Sequence, residues 1–318
     1  MLKRILCLLA GLMMLLPAAL AEAPAAEPGA FPVLNEDGFL DVGEFVYSNP
    51  EAGVWRYVDD SLKVEIYRRT GKNQKGNNAV WYEAEVWSRG DEAWQIFTNV
   101  PGKHMSSADW PHVVARKNHT VLAINTDYAQ SRYANRKNDS RIGIVMRNGK
   151  AFSSATLKST SKKWPPLDVL ALYPDGNMEV YTSDEHTLED YQAMGVQTTL
   201  AFGPYLIRDG VRNDADASSM SIYNNPRTAI GMIEKGHTFV IMVEGRVKNS
   251  VGSDLTFLAD RMAEKGCTMA FNLDGGRTAC ILFMGEQLNA VEKGGYARST
   301  TEILGIGVSE LVPDHTEK

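Results

Sequence analysis

The segment Asn272-Leu273-Asp274-Gly275-Gly276 puts a carboxylate on a double-glycine turn directly after the apolar run Cys267 to Phe271. Gly275 and Gly276 can take backbone angles closed to other residues, so chain or ligand can come close to Asp274. Two arginine motifs precede this turn, Asn225-Pro226-Arg227-Thr228-Ala229-Ile230-Gly231 and Glu244-Gly245-Arg246, and Asn125-Thr126-Asp127-Tyr128 is a fourth segment of similar kind. Guanidinium binds phosphate through paired donors in a way lysine cannot, so Arg227 and Arg246 beside carboxylates and glycine turns suit an anionic substrate group. Hard oxygen ligands suit calcium or magnesium, and Asp274 and Asp127 are the two residues that could hold such a cation.

These residues need elements to position them. Thr238 to Val243 reads as a strand leading into Glu244-Gly245-Arg246. Ser253 or Asp254 can cap a helix in which Leu255, Leu258, Ala259, Met262 and Ala263 form one apolar stripe, with Gly266 as its stop. The run 267–271 is the next strand. Strand, helix and strand in this order suggest a crossover unit with parallel strands, which places Glu244, Arg246 and Asp274 near their C-terminal ends, where open sheets bind ligands.

Elsewhere, 62–69 and 80–88 read as strands, the second alternating Val80, Tyr82, Ala84 and Val86 with Trp81, Glu83, Glu85 and Trp87. Trp81 and Trp87 could stack on sugar rings, but such residues more often cover a sheet edge or pack under a loop. Strands are expected at 121–125 and 142–147, the latter ending in the hairpin turn Arg147-Asn148-Gly149-Lys150. Two more, 169–173 and 178–181, flank Pro174-Asp175-Gly176-Asn177, and Thr187 can cap a short helix that stops at Gly195. The expected class is α+β: a central twisted mixed β-sheet with many hairpins and a few flanking helices.

At the N-terminus, Lys3 and Arg4 precede an apolar run from Ile5 to Leu16 and the triplet Ala19-Leu20-Ala21, the pattern of a secretory signal peptide. The expected mature chain begins near Glu22, is secreted or held in the cell envelope, and has no transmembrane segment, since no later run approaches the ~20 apolar residues a spanning helix needs. The sequence has 33 Lys and Arg against 39 Asp and Glu, a net charge of −6. That balance argues against nucleic acid or an anionic membrane as a partner. The oligomeric state is left open. Cys267 and Cys280 remain after cleavage and are expected to be free and buried, since a hairpin turning at 272–278 would leave them about 10 Å out of register.

Familiar catalytic signatures are missing: no Gly-x-Ser-x-Gly elbow, Walker loop, dinucleotide fingerprint or His-Glu-x-x-His helix occurs. His104, His112, His119, His186, His237 and His315 show no metal-ligand spacing and read as surface or turn residues.

Across roughly 110–308, the chain resembles the phosphodiester glycosidase family. The likeness rests on Ala-Ile-Asn-Thr-Asp-Tyr (123–128), Gly-Ile-Val-Met-Arg-Asn-Gly-Lys (143–150), Phe-Gly-Pro (202–204), Arg-Thr-Ala-Ile-Gly (227–231), Glu-Gly-Arg (244–246) and Asn-Leu-Asp-Gly-Gly (272–276). With the N-terminal pattern, the Pro/Ala run that follows it and the polar C-terminal end, it gives the expected division: 1–21 signal peptide, 22–30 linker, 31–109 an N-terminal strand-rich part of the fold, 110–310 the phosphodiester glycosidase-like domain, and 311–318 a tail.

It also implies hydrolysis of a sugar-1-phosphodiester in a carbohydrate substrate, with no cofactor required. Arg227 and Arg246 would hold the phosphate. Asp274 would be nucleophile or base for water, with Asp127 or Glu244 as its partner; a carboxylate separation of ~5 Å would mean retention and ~6.5 to 9.5 Å inversion. Asn125, Asn272, Thr228, Gly275, Gly276, Arg277 and Thr278 would line the substrate, although asparagines equally stabilise turns. The chain departs from the family pattern at Arg277-Thr278-Ala279-Cys280, at Glu244 where the family usually has Asp, and at Thr126-Asp127. Arg277 adds a cation beside Asp274, which could serve a more anionic substrate or block the pocket. The rival readings are a glycan-binding protein without catalysis and a phosphodiesterase that attacks phosphorus.

Overall fold

The computed structural model describes residues 29–128, 143–154, 167–214 and 222–315. The expected signal peptide, the linker up to 28, Ile142 and the tail residues 316–318 lie outside the described residues. Phe31 to Lys318 form one unit.

Five strands come first: β1 (Phe45–Asn49), β2 (Val54–Val58), β3 (Leu62–Lys72), β4 (Asn78–Ser88) and β5 (Gln95–Thr98). Helix α1 (Pro111–Lys117) leads to β6 (Thr120–Ile124), β7 (Ile144–Arg147), β8 (Lys150–Ser154), β9 (Asp168–Leu172) and β10 (Met178–Tyr181). After α2 (Leu188–Ala193) come β11 (Thr198–Phe202), β12 (Tyr205–Arg208), β13 (Val211–Arg212), β14 (Arg227–Glu234) and β15 (His237–Val243). Helix α3 (Leu255–Glu264) precedes β16 (Met269–Asn272), β17 (Ile281–Phe283), β18 (Glu286–Gln287) and β19 (Glu302–Val308).

The strands form three sheets, in the orders β1-β2-β3-β4-β15-β14-β16-β12-β13, β10-β9-β11-β7-β8 and β18-β17-β6-β19-β5. The class is α+β. Every described pairing is antiparallel, so the sheets are not mixed as expected. The crossover explains the difference. β15 and β16 run in the same direction, but β14 lies between them and pairs antiparallel with both. The pairing of β4 with β15 and of β5 with β19 joins 31–109 to the rest of the fold.

All three sheets turn one apolar face to a shared core. Val64, Val86, Ile230, Val240 and Phe271 of the first sheet meet Leu170 and Leu200 of the second and Leu122, Ile281 and Leu304 of the third. One helix covers the other face of each sheet. The stripe Leu255, Leu258, Ala259 and Met262 of α3 packs on Phe239, Ile241 and Ala270. Helix α2 covers Ile144, Met146 and Ala171, and α1 covers Ala123, Leu282 and Ile303.

The local signals explain the boundaries. The Asp254 side chain accepts from Phe257 N and caps α3, and Thr187 and Asp190 form a reciprocal capping box on α2. Asn148 and Gly149 both take positive φ, which the two-residue turn between β7 and β8 requires. Trp81 donates to Glu83 and packs edge-on against Phe257, and Trp87 stacks on His237, so both tryptophans pack within the fold. Cys267 and Cys280 are free and buried, and burial pushes both thiols up to about 12. They do not flank a hairpin, because β16 and β17 belong to different sheets. His112 is buried against Tyr296, and His104 lies 3.8 Å from Glu302, so these two histidines are packed inward. No described helix is long and apolar enough to cross a membrane.

Candidate active site

Leu273 to Cys280 carry the chain from the first sheet to the third, and Asp274 sits at the start of that passage. Its turn is clamped from both sides. On one side, Leu273 N donates to Thr228 O at 2.9 Å and Gly276 N to Pro226 O at 2.9 Å, tying it to the start of β14. On the other, Asn125 Nδ2 donates to Asp274 O at 2.8 Å, and Asn125 Oδ1 accepts from Cys280 N at 3.1 Å. Gly275 N donates to Asp274 Oδ1 at 2.9 Å and orients the half-buried carboxylate.

The glycines are required by what surrounds them. A β-carbon on Gly275 would lie 2.7 Å from Pro226 O, a hard clash with backbone. Gly276 has a φ of 63°, and a β-carbon there would sit 3.6 Å and 3.7 Å from the two terminal nitrogens of Arg246. Arg227 Cδ lies 3.8 Å from the corresponding point on Gly275. Both arginines therefore border the turn that carries Asp274.

Arg227 is buried, with Nε donating to Ser253 O and Nη2 to Tyr223 O. Burial pushes its guanidinium down to about 10; Asp254 acts against this and Arg246 adds to it. Arg227 stays cationic at neutral pH, and the mutual repulsion with Arg246 marks a place that favours an anion. Arg246 is exposed and takes the left-handed conformation at φ 59°. It donates to Asn225 Oδ1 at 2.7 Å and lies 3.4 Å from Glu292. Thr228 Oγ1, Asn272 Oδ1 and Ser253 Oγ are buried without a hydrogen-bond partner, three unmet polar atoms in residues next to or bonded to this site.

Other expected site residues are placed differently. Asp127 is fully buried: Arg147 Nη2 donates to its Oδ1 at 2.9 Å and Ala201 N to its Oδ2 at 2.8 Å. Its neighbour Thr126 meets the candidate site through the backbone, where Asp274 N donates to Thr126 O at 3.4 Å. Both Asp127 oxygens thus accept from N–H donors. Among the described residues, no group of three or more His, Cys, Asp or Glu side chains gathers to hold a metal.

Glu244 is buried and turned elsewhere, its Oε1 accepting from Ala290 N at 2.7 Å and from the Tyr82 hydroxyl at 3.3 Å. Asn125 spends its amide holding the turn, and Asn272 Nδ2 donates to Gly203 O at 2.8 Å, anchoring the Phe202-Gly203-Pro204 segment. Gly276, Arg277 and Thr278 form a single 3-10 turn; Thr278 is buried, and Arg277, partly exposed, accepts through its carbonyl from Arg298 N.

Sequence reading passed over Asn225, Ser253 and Glu292. Asn225 stood in the motif of Arg227 and could have been found there. Ser253 and Glu292 carry no local signal, because the contacts that bring them to the arginines span 26 and 46 positions along the chain.

The family model for phosphodiester glycosidase matches residues 118–306. A curated relative, the SPbeta prophage-derived uncharacterized protein YomE of Bacillus subtilis (strain 168), is 25% identical over 183 residues, 57% of this chain and 27% of that protein's length. The chain therefore matches about a quarter of that relative. Among solved structures, the zebrafish N-acetylglucosamine-1-phosphodiester alpha-N-acetylglucosaminidase catalytic domain, auto-inhibited by its pro-peptide, superposes with a TM-score of 0.60 at 14% identity, covering 85% of this chain and 90% of that one. A hypothetical protein from Synechocystis gives 0.55 at 13% identity, covering 79% and 63%. Both likenesses speak for the fold. With more than half its length matched by the family model, including the arginine motifs and the glycine turn, the chain belongs to the phosphodiester glycosidase family.

Proposed function

We propose that this protein is an exported hydrolase that cleaves the glycosidic bond of a sugar-1-phosphodiester, of the N-acetylglucosamine-1-phosphodiester type, in a cell-surface or exopolysaccharide glycan. The observation that carries this reading is that Arg227 and Arg246 border the glycine turn that presents Asp274. Family membership supports the reaction class, and the signal-like N-terminus supports export.

In this reading the two guanidinium groups hold the phosphate and stabilise the charge that grows on the departing oxygen. Asp274 acts at the anomeric carbon, as nucleophile or as base for water. The bond between C1 and the bridging oxygen breaks, water supplies the new hydroxyl, and a phosphate monoester leaves with the bonding pair. That leaving group is already a stable anion, so it needs no general acid. This suits a turn whose expected carboxylate partners, Asp127 and Glu244, are both turned into other contacts. Arg277, one residue past the turn, adds positive charge for an anionic polymer.

Hydrolysis in oxygen-18 water tests the proposal. Label on the sugar is expected; label on the phosphate would mean attack at phosphorus and a phosphodiesterase instead. Asp274→Asn is expected to lower kcat by about 10²- to 10⁴-fold, the range for losing a positioned acid-base or nucleophilic group. Full turnover of a sugar-1-phosphodiester by that variant would sink the mechanism, and glycan binding without turnover by the wild type would make this a binding protein.

A further inference from the structure

A polar cavity opens near the candidate active site, where the β3–β4 hairpin runs past the edge of the core. Arg68, Thr70 and Lys72 pair in register with Tyr82, Val80 and Asn78. Side chains on a strand alternate between faces, so these positions continue the face that Ile66, Val64, Ala84 and Val86 bury in the core. The face thus changes from apolar to cationic and amide-bearing where the other two sheets stop covering it. The cavity measures about 810 Å³, and Arg68, Lys72, Asn78, Tyr82, Glu244 and Asn249 line it. Small-molecule sites are typically ~300 to 1,000 Å³.

The lining is built. Glu244 is 6% exposed, and its position is fixed by Ala290 N and by the Tyr82 hydroxyl, whose single proton is shared between Glu244 Oε1 at 3.3 Å and Leu288 O at 2.8 Å. Lys72 Nζ donates to Asn78 Oδ1 at 2.7 Å, and Arg68 Nη2 to Glu51 O at 3.3 Å. Burial raises the Glu244 carboxyl above its ordinary value, against the pull of Ala290 N–H, Tyr82 and Arg68. Neither Asp274, Arg227 nor Arg246 lines this cavity. The segment from Leu288 to Glu292 stands between the two places, with Ala290 bonded to Glu244 and Glu292 to Arg246.

We infer that this cavity is a second ligand site, for a sugar unit that carries an anionic group. Arg68 and Lys72 supply the charge complement, while Asn78, Asn249 and Thr70 offer donors and acceptors to ring hydroxyls. Leu288, partly buried at the edge of the core, supplies apolar surface against which a pyranose ring can rest. In an anionic glycan, the unit held here would be a neighbour of the one at the Asp274 turn. Occupancy of the cavity does not depend on catalysis at that turn.

Isothermal titration on the Arg246→Ala protein, whose phosphate site at the turn is weakened, tests the inference. The probes are glucuronic acid, N-acetylglucosamine-1-phosphate, N-acetylglucosamine and inorganic phosphate. The two anionic sugars are expected to bind at one site, and adding Arg68→Ala and Lys72→Ala is expected to weaken them about tenfold or more, with the thermal midpoint unchanged. No binding, binding undiminished in the triple variant, or binding of the neutral sugar or phosphate alone as tight as that of the anionic sugars would each overturn it. A failure of turnover would leave these outcomes unaffected, so the two claims can fail separately.

Discussion

At the scale of single residues, Asp127 shows how environment decides what a carboxylate can do. Its neighbours in sequence, Asn125 and Thr126, both touch the Asp274 turn, yet its own side chain points into a buried cluster with Arg147. Arg147 is also held by Glu302 at 2.8 Å, and all three side chains are fully buried. Removing one partner of such a cluster leaves an uncompensated charge in the core. Asp127→Ala is therefore expected to cost about 3 to 5 kcal/mol in urea unfolding. A loss below ~1 kcal/mol would mean that the cluster is not integral to the fold. Glu244 and Arg246 show the same lesson over two positions, since Glu244 bonds Ala290 and Tyr82 while Arg246 reaches Asn225 and Gly276.

At the scale of elements, the passage from β16 to β17 is what creates the candidate site. It leaves the first sheet, is gripped by the start of β14 and the end of β6, and enters the third sheet. The contact at Gly275 is so close that one methyl group cannot be added without moving Pro226, and Arg227 is the next residue. Gly275→Ala is expected to lower kcat/KM by about 10²-fold, the scale of a 1 Å misplacement of a reacting group. The thermal midpoint should fall by only a few degrees, because Gly275 has a φ of −114°, which alanine tolerates. Activity kept at the wild-type level would show that the position of Arg227 is unimportant. Most of these elements were legible beforehand: the capped helix α3, the Thr187 cap of α2 and the Asn148-Gly149 turn are written in adjacent residues. Helix α1 was not, since it has seven residues and its Trp110 N-cap makes no side-chain cap bond.

At the scale of the molecule, three sheets share one core, and the Asp127, Arg147 and Glu302 cluster fastens the second sheet to the third. Arg147 ends β7 in the second, while Asp127 follows β6 and Glu302 begins β19 in the third. This predicts acid sensitivity. Burial raises the Glu302 carboxyl, but the charge of Arg147 and its hydrogen bond, with His104 nearby, hold it below its ordinary value of 4.5. With a depressed folded-state pKa, the unfolded chain takes up the proton first as pH falls. The stabilisation is therefore complete above about 4.5, declines as pH drops below it, and is lost once the folded-state value is passed. Denaturant midpoints are expected to fall as pH drops below about 4.5, and more shallowly in Glu302→Gln. Equal slopes in the two proteins would exclude Glu302 as the cause.

By itself, the sequence determined the family, the α+β class, the helix caps and hairpin turns, and the pairing in kind of glycine turn with arginines. All of these depend on neighbouring residues or on a recurring string of motifs. Only the tertiary structure decided that β14 inserts between β15 and β16, that Arg227 and Arg246 border the Asp274 turn, that Asp127 belongs to a buried ion cluster, and that Glu244 lines a separate cavity. The reason is physical. A side chain's role depends on which partners reach it, and here those partners lie from 20 to 162 positions away along the chain.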